Sequence, residues 1–516
     1  MQRMFHSWLI ALGGLGLVAP AMAVDVPAPP AKPNIVFILG DDIGYGDFGC
    51  YGATRVKTPN VDRLANQGIR FTDAHASAAV CTPTRYSFIT GQYAFRKPAG
   101  SHILSGEAPL AIDTNCLTTP SVLKKAGYTT ALVGKWHIGL GQGDLDYNKD
   151  IAPGPLEVGF DYAFYFPATG DRVPCVFIEN HRVVGLDPAD PIRISYAQKV
   201  GDAPTGKDHP ELLRMKPFPG RGHLDTIING IGRIGFMSGG KAATWKDEEI
   251  ADTLTGKAVK FIEQNKDHPF FLYFATHDIH EPRVPHPRYQ GSSGCGNRGD
   301  ALQQFDGCVG KVLETLERLK LSDNTLVIVT SDNGGVIEEG YHDGSEAAAN
   351  GHRCNGPYRG IKGDLWEGGH REPFIARWPG HIKPGSESHE LIGLVDMLAT
   401  FAAIVGQPLP PEAGPDSFNV SSTLLCQSHD QPVRSSLVLQ TDGTGRLALR
   451  QGQWKYIPHG KGDNQSGHGE LYDLAVDPGE TNNLAMAQPG KLKELRDSLE
   501  TARKAPRTRT RSLPTS

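Results

Sequence analysis

The amino-acid sequence predicts an α/β protein in which helices cover both faces of a large, mostly parallel mixed sheet. From residue 32 onward, short apolar runs alternate with amphipathic segments, which is typical of strands buried on both faces and packed against helices. After residue 436 the apolar runs shorten and Gly-Asp turns join them, which indicates a smaller antiparallel sheet at the C-terminus. The 516 residues are 39% hydrophobic, which suits a large core and two domains.

The elements of the larger domain are assigned from apolar periodicity and from the Pro and Gly residues at their ends. Strands are predicted at 34–39, 128–133, 269–274, 325–330 and 373–378, and helices at 58–67, 119–126, 247–265, 300–319 and 390–405. The stretch 141–242 is dense in Pro, Gly and Asp, so we expect a long loop insertion that shapes a substrate cleft.

The C-terminal part is expected to form a smaller subdomain at 411–504, after a catalytic domain at 24–410. Strands at 436–440, 448–450, 454–457 and 471–474 are expected to form a four-stranded antiparallel sheet, and a helix is predicted at 489–504. The Pro- and Gly-rich segment 406–415 is the linker candidate. The tail 505–516 mixes Arg with Thr, Ser and Pro and is expected to be disordered.

The N-terminus has the three regions of a secretory signal peptide: Arg3, an apolar run at 8–18, and an Ala-Met-Ala cleavage site at 21–23. This segment, which we expect to be removed after residue 23, predicts export, most simply to a periplasm. The apolar run is too short for stable membrane insertion. A formal net charge of -5 shows no footprint of nucleic-acid binding. The eight cysteines are too few for a disulfide framework, and their pairing stays open.

Four pairs of polar side chains follow the ends of predicted buried strands: Asp41 and Asp42, Lys135 and His137, His277 and His280, and Asp332 and Asn333. In open α/β sheets the ligand crevice lies outside the carboxyl ends of the strands. One such pair can arise by chance, but four pairs at one edge predict a functional site. The aspartates and the asparagine offer only oxygen ligands, which favours calcium over magnesium. The alternative is that adjacent aspartates only cap a turn.

A helix is predicted after Cys81, with Thr82 as the N-cap, Pro83 at the first helical position and Gly91 at the end. Cys81 is then expected just ahead of a helix N-terminus, where the dipole and the unpaired N–H groups favour an anion. Arg85 adds a positive charge one turn later. The arrangement suits a reactive group at an anion site, although such a cysteine can equally be structural.

The segment from Cys81 to Arg85, Cys-Thr-Pro-Thr-Arg, resembles the sulfatase signature Cys-x-Pro-x-Arg, whose cysteine is oxidised to formylglycine after translation. Other segments match further motifs of that family: 134–137 (Gly-Lys-Trp-His), 271–282, 331–334 (Ser-Asp-Asn-Gly), the lysine loop 362–369 and the run 471–481. The chain is therefore similar to the type I, formylglycine-dependent sulfatases (arylsulfatase family) of the alkaline phosphatase-like superfamily. Thr84 stands where Ser is commoner, and Thr169 stands for the family's serine near the sulfate.

The resemblance implies one calcium ion per chain, held by Asp41, Asp42, Asp332, Asn333 and the formylglycine that a formylglycine-generating enzyme makes from Cys81. The hydrated aldehyde attacks sulfur in this family. Lys135 and Lys362 are expected to neutralise the sulfate oxygens, and Arg85 to steady the diol. His280 is the expected proton donor to the leaving alcohol. His137 is expected to take a proton from the remaining diol hydroxyl.

The expected substrate is a small sulfated molecule, a carbohydrate or an aryl sulfate. Its candidate contacts, besides the two lysines and His280, are Thr169, Asp171 and Arg172 in the insertion, and His277 and Arg283. Asp and Arg together suit sugar hydroxyls or a second anionic group. The alternative is that they tie loops together by ion pairs. Two other functions stay open: a phosphatase or phosphodiesterase of the same superfamily, and an unmodified protein that binds sulfated glycans without hydrolysis.

Overall fold

A computed structural model describes residues 32–143, 145–427, 430–458 and 469–509. The described residues from Pro33 onward form one compact unit. The expected signal peptide, 1–23, lies outside the described residues. None of the helices in the described ranges is both long enough and apolar enough to cross a membrane. All eight cysteines are described, and they carry free thiols.

The main sheet contains ten strands within the described residues. They are Asn34–Gly40 (β1), Ile69–Phe71 (β2), Thr129–Lys135 (β3), Tyr162–Phe166 (β4), Ile178–Glu179 (β5), Arg182–Val183 (β6), Phe270–Ala275 (β7), Thr325–Ser331 (β8), Phe374–Arg377 (β9) and Ser386–Ser388 (β10). Their order across the sheet is β10-β2-β9-β8-β1-β7-β3-β4-β5-β6. The central strands β8, β1, β7, β3 and β4 are parallel, whereas β9 pairs antiparallel with β8, and β5 with β4.

Helices cover both faces of this sheet. They are Pro59–Asn66 (α1), Cys81–Thr90 (α2), Thr119–Lys125 (α3), Ile250–Gln264 (α4), Gly296–Arg318 (α5), Ser345–Ala348 (α6), Met397–Ile404 (α7) and Ser421–Leu424 (α8). A further helix, Pro489–Lys504 (α9), packs on a second, smaller sheet. Alternate residues of β1 point to opposite faces. Phe37 belongs to a hydrophobic cluster with residues of α2, α3 and α7, whereas Val36 belongs to a cluster with residues of α1, α4 and α5. The parallel strands are therefore buried on both faces, as predicted.

The smaller sheet consists of Ser436–Gln440 (β11), Leu447–Gln451 (β12), Trp454–Ile457 (β13) and Glu470–Asp473 (β14), all antiparallel. Helix α9 packs on this sheet through Leu492, Leu495 and Leu499. Two-stranded ribbons complete the described structure: Ala74–His75 with Ile392–Gly393, Arg193–Ser195 with Phe236–Ser238, Lys216–Pro217 with Tyr341–His342, and Ile227–Ile228 with Ile231–Gly232. The predicted fold class, a large mostly parallel mixed sheet with a smaller antiparallel one, is confirmed.

The structure corrects three predicted elements. The insertion 141–242 is not only loop, since it contributes β4, which pairs with β3 as the fifth parallel strand. The helix expected at 390–405 begins only at Met397, after a short strand and a 3-10 turn at Leu394–Asp396. Helix α5 begins at Gly296 rather than at residue 300. Each difference depends on partners far away in the sequence, which local periodicity does not report.

The boundary between the two expected domains, at residues 410 and 411, remains a prediction. Residues 505–509 of the expected disordered tail are described, and the backbone N–H of Thr508 donates to Asp416 Oδ1 at 3.0 Å. Residues 510–516 lie outside the described ranges.

Candidate active site

The carboxyl ends of four adjacent strands bring the candidate residues together. Because the sheet order there is β8-β1-β7-β3, the segments that follow these strands meet at one edge. The candidate residues at this edge are all buried: Asp41, Asp42, Lys135, His137, His277, His280, Asp332 and Asn333. The sequence prediction of one site at this edge is therefore supported by the placement of all four pairs.

Backbone hydrogen bonds lock these strand ends to one another. Asp41 donates its N–H to the carbonyl of Asp278 at 2.9 Å, and Ile279 donates to the carbonyl of Asp41 at 2.7 Å. Asp42 and His137 both adopt a left-handed backbone, with φ of 64° and 56°. At Gly134, with φ of 115°, a Cβ would lie 1.7 Å from the carbonyl oxygen of Ala275, so only glycine fits. The backbone of the site is thus fixed before any side chain contributes.

Cys81 is the first residue of helix α2, whose ten residues are all buried. The structure corrects the predicted cap, because the helix follows extended Val80 and Thr82 lies inside its first turn. The hydroxyl of Thr82 instead donates to the carbonyl of His137 at 2.9 Å. Gly91 ends the helix in a left-handed conformation, as predicted. Burial raises the pKa of the Cys81 thiol to about 11, although Lys135 and Lys362 oppose this effect. The unmodified thiol is therefore protonated and a poor nucleophile.

Arg85 ties helix α2 to the acidic strand ends. Its Nε and Nη2 donate to Asp332 Oδ2 at 2.9 and 2.7 Å, and its Nη1 donates to the carbonyl of Lys135 at 3.2 Å. Nη2 also lies 3.7 Å from Asp41 Oδ1. Arg85 therefore neutralises one carboxylate of the site and fixes the helix carrying Cys81 to it.

Two lysines reach the site from different segments. Lys135 Nζ lies 2.6 Å from Asp41 Oδ2. Lys362, in the glycine-rich loop before β9, lies with its Nζ 2.9 Å from Asp42 Oδ2 and 2.7 Å from Glu339 Oε2. Lys362 lines the cavity next to Cys81, and two ammonium groups beside a candidate nucleophile make an anion site.

The oxygen atoms at the strand ends fit a hard divalent cation. Asp41 Oδ1 and Asn333 Oδ1 are buried and have no hydrogen-bond partner among the described residues. Burial and the neighbouring Asp332 raise the pKa of Asp41 well above its usual range. Ligand atoms of Asp41, Asp42, Cys81 and His280 lie within 4.8 Å of one another. The carboxylates of this group and the unpartnered oxygens of Asp41 and Asn333 are donors that calcium prefers, whereas the thiol and the imidazole of the group are not.

A second cluster with the spacing of metal ligands serves another purpose. His75, Glu367 and His370 are buried together, but the ammonium of Lys455 lies 3.0 Å from Glu367 Oε1 and 2.9 Å from His370 Nε2. A protein cation therefore already occupies the position that a metal would take.

The two candidate proton carriers differ in their exposure to the cavity. His280 lines it, and its Nδ1 lies 2.6 Å from the carbonyl of Glu281, which leaves Nε2 on the side of Asp42, 3.9 Å from Oδ2. His137 lies behind the cavity with Nε2 2.9 Å from the carbonyl of Leu104. Burial, together with nearby lysine and arginine side chains, lowers the pKa of both rings well below the usual range. Both rings are therefore neutral in the structure.

Cys81, His280 and Lys362 line one cavity of about 150 Å³ together with residues of the insertion. Asp171 and Arg172 line it, as expected, and Arg172 Nη1 donates to Thr169 Oγ1 at 2.9 Å. Thr169 therefore contacts Arg172, which lines the cavity, but is not itself among the lining residues. The sequence analysis missed other lining residues, namely Ile103, Arg221, His223, Ile234, Glu281, Glu339 and Gly340. They lie in irregular segments, where no motif or periodicity marks them.

Two substrate candidates, Arg283 and His277, are not among the residues that line this cavity, and their contact with substrate stays a prediction. Arg283 is buried, lies 3.0 Å from Asp343 Oδ2, and donates through Nε to the carbonyl of Ile279 at 3.0 Å. The contacts of Arg283 match the alternative given by the sequence, in which an ion pair ties two loops together. His277 is buried against Phe166, with ring centroids 5.9 Å apart, and is covered by Gly170.

A buried cysteine, a pair of lysines and an open oxygen set at the edge of a parallel sheet define a hydrolase of anionic esters. Comparison with known proteins identifies the family. The family model described as Sulfatase matches residues 33–407, so the chain belongs to the sulfatase family and is a sulfuric ester hydrolase. The recognition of the family and of the enzyme class from sequence is confirmed.

Relatives match along nearly the whole chain. The N-acetylgalactosamine-6-O-sulfatase of Bacteroides thetaiotaomicron is 48% identical over 483 residues, covering 92% of this chain and 93% of that protein. Human arylsulfatase A is 32% identical over 505 residues, covering 94% of this chain and 89% of that protein. A solved sulfatase structure from a study of glycosaminoglycan metabolism in Bacteroides thetaiotaomicron has a TM-score of 0.88 and 48% identity, covering 92% of this chain and 100% of that one.

Proposed function

We propose that this enzyme removes the 6-O-sulfate from N-acetylgalactosamine units of sulfated carbohydrates, with Cys81 converted to formylglycine. One observation carries the proposal: the chain is 48% identical over 483 residues to a sulfatase with that specificity. The cavity supports it, since residues of the insertion line it together with Cys81 and Lys362. An aryl sulfate needs a mainly apolar pocket, whereas half of the residues that line this cavity carry a charged side chain.

Calcium is the proposed metal, with Asp41, Asp42, Asp332 and Asn333 as its protein ligands. The Oδ1 atoms of Asp41 and Asn333, which have no partner among the described residues, support this assignment. When bound, calcium would supply positive charge to a sulfate oxygen and to the formylglycine beside it. Arg85 would keep Asp332 in place, because two of its nitrogens donate to one carboxylate oxygen.

The side chains around the cavity have separate proposed tasks. The formylglycine hydrate would supply the hydroxyl that attacks sulfur. Lys135 and Lys362 would hold the sulfate oxygens by charge-assisted hydrogen bonds. His280, whose neutral ring donates from Nδ1 to the carbonyl of Glu281, would first take up a proton from water at Nε2 and would then give that proton to the oxygen of the leaving sugar. His137 would accept the proton of the remaining hydroxyl at Nδ1, which is buried and without a partner among the described residues.

The sugar is proposed to contact Asp171, Arg172 and His223. Asp171 Oδ1 lies 3.1 Å from Arg172 Nη1, and its Oδ2 lies 3.0 Å from His223 Nε2, so the three side chains orient one another. A carboxylate held between two donors presents a fixed acceptor to a sugar hydroxyl, and Arg172 presents donors. Thr169 supports Arg172 from behind.

Maturation and export are proposed from the sequence alone. The N-terminal segment would direct the chain through the inner membrane to a periplasm and be removed after residue 23. A formylglycine-generating enzyme would act on Cys81 before folding is complete, because Cys81 is only 1% exposed in the folded chain.

The proposal is tested by sulfate release from defined sugars. We expect turnover of N-acetylgalactosamine 6-sulfate, much slower turnover of its 4-sulfate isomer, and slow turnover of an aryl phosphate. Peptide mass analysis across Cys81 on the same preparation should show formylglycine. Faster hydrolysis of the phosphate would favour a phosphatase. Binding of the sulfated sugar by protein with an unmodified Cys81, without turnover, would favour the binding protein.

A further inference from the structure

A carboxylate faces the cavity in which we propose that an anion binds. Glu339 lines the cavity together with Cys81 and Lys362, and its Oε2 lies 2.7 Å from Lys362 Nζ. A negative charge next to the ammonium opposes the approach of a sulfate. The site therefore contains a group that works against the binding of its own substrate.

The two carboxylates that hold Lys362 differ in their freedom to move. The side chain of Asp42 is 0% exposed and accepts from Asn333 Nδ2 at 2.7 Å, in addition to its ion pair with Lys362. The side chain of Glu339 is 34% exposed, and Lys362 is the partner that its carboxylate contacts within the described residues. Only Glu339 can turn from the ammonium toward water without leaving a buried charge behind.

The backbone that carries Glu339 is anchored independently of its side chain. The Glu281 carboxylate accepts three successive backbone N–H groups, from Glu339 at 2.9 Å, Gly340 at 2.5 Å and Tyr341 at 3.1 Å. A rotation of the Glu339 side chain therefore leaves the cavity wall in place. A substitution of its carboxylate is likewise expected to preserve this wall.

We propose that Glu339 is an exchangeable counter-ion of Lys362. In the empty site it holds the ammonium toward the cavity, and it turns away when the sulfate ester arrives. After hydrolysis it competes with the inorganic sulfate ion for Lys362 and so promotes release of the product. The inference rests on the proposed role of Lys362 as a sulfate ligand. Glu339 is a positioning residue, because it acts through Lys362.

The test compares wild-type enzyme with Glu339→Gln in the full, formylglycine-bearing chain. Glutamine keeps the shape but removes the competing charge. We expect the inhibition constant of inorganic sulfate to fall about fivefold, as removal of a partly exposed charge partner implies, and the KM for the sulfated sugar to fall with it. Inhibition by the desulfated sugar should not change. Glu339→Asp keeps the charge at a greater distance from Lys362, and its inhibition constant for sulfate should lie between those of the other two.

Controls separate this role from a structural one and from contact with the sugar. Glu346→Gln removes an equal charge from an exposed position on the same segment, and it should leave sulfate inhibition unchanged. Melting temperature and formylglycine content should match wild type in all variants. Unchanged or weaker sulfate inhibition in Glu339→Gln overturns the proposal, and weaker inhibition by the desulfated sugar alone shows a sugar contact instead. Calorimetric titration with inorganic sulfate gives the same comparison even if the 6-sulfated sugar proves not to be the substrate.

Discussion

The carboxyl edge of the main sheet and the C-terminal sheet both bury charged side chains, but they differ in how those charges are satisfied. At the main sheet, Asp41 Oδ1, Asn333 Oδ1 and His137 Nδ1 are buried without a partner among the described residues. At the C-terminal sheet, the ammonium of Lys455 in β13 lies within 3.0 Å of oxygens of both Glu367 and Glu480. Burial raises the pKa of Glu367, but Lys455 and nearby cations outweigh it and hold the pKa well below its usual range. The unpartnered oxygens of Asp41 and Asn333 mark a ligand site. The ion pairs of Lys455 with Glu367 and Glu480 instead form a joint between the smaller sheet and the loop that carries Lys362.

The joint holds the loop that carries Lys362. Trp366 Nε1 donates to Glu470 Oε2 at 2.8 Å, and Thr441 Oγ1 donates to the carbonyl of Gly363 at 2.7 Å. Gly363 in turn donates to the carbonyl of Ala79, two residues before Cys81, at 2.8 Å. The two regions therefore cooperate, because the smaller sheet positions a side chain that the larger one uses.

The largest effect is expected from a substitution that removes the nucleophile at the main sheet and leaves the joint intact. Cys81→Ala should lower turnover by more than about 10³-fold, because no other side chain replaces the nucleophile. Sulfate release from the 6-sulfated sugar gives the rate, and thermal unfolding gives the stability. A large fall in melting temperature would instead show that Cys81 is a structural residue.

The joint should break when its central cation is removed. Lys455→Met leaves Glu367 and Glu480 buried without their ammonium, so we expect the free energy of unfolding to fall by about 3–5 kcal/mol. Urea unfolding followed by tryptophan fluorescence measures this loss. Lys493→Met, at an exposed position of α9, is the control and should change stability by less than about 0.5 kcal/mol. A loss as small as this in Lys455→Met would mean that the joint does not depend on the charge.

Removing Lys362 should affect rate more than folding. Lys362→Ala deletes one of the two proposed sulfate ligands, and we expect kcat/KM to fall by about 10²–10³-fold. The exposed Lys383→Ala is the matched control and should be as active as wild type. An unchanged rate in Lys362→Ala would remove this lysine from the site, and with it the basis for the role of Glu339.

Calcium should stabilise the protein by binding to the unpartnered oxygens of Asp41 and Asn333. At free calcium of about 100 times the dissociation constant, binding adds about 2.7 kcal/mol to the free energy of unfolding. Wild-type protein treated with a chelator should therefore melt at a lower temperature and recover when calcium returns. Asp41→Asn should lose most of this shift, whereas Asp323→Asn, at an exposed position, should keep it. An equal calcium shift in both variants would contradict the assignment of the ligands.

The smallest effect is expected at the contact between the C-terminal sheet and the Lys362 loop, where Thr441 donates to the carbonyl of Gly363. Thr441→Val removes the hydroxyl that holds the carbonyl of Gly363, and the loss of one hydrogen bond is worth about 1 kcal/mol. We expect kcat/KM to fall about threefold to fivefold as the Lys362 loop loosens. Thr444→Val, an exposed position in the same turn, should behave as wild type. Equal kinetics in both variants would show that the C-terminal sheet does not position Lys362.

Much of the fold could be read from the sequence because its signals are local. The apolar run of β1 and the Pro-to-Lys helix α9 are found where they were predicted, since burial on both faces and an amphipathic stripe leave a direct pattern. The strand ends also place Asp41, Lys135 and Asp332 at one edge, because parallel strands present their carboxyl ends together. The motif at Cys81 identified the family.

Tertiary structure alone decided the rest, because the partners involved lie far apart in the sequence. The hydroxyl of Thr82 in α2 donates to a carbonyl 55 residues away, and Arg283 pairs with Asp343, 60 residues away. Arg221, His223 and Glu339 reach the cavity from irregular segments without any periodic pattern. Local propensity specifies where a strand or helix forms, but which loops close over its end is settled only when the packed core brings them into contact.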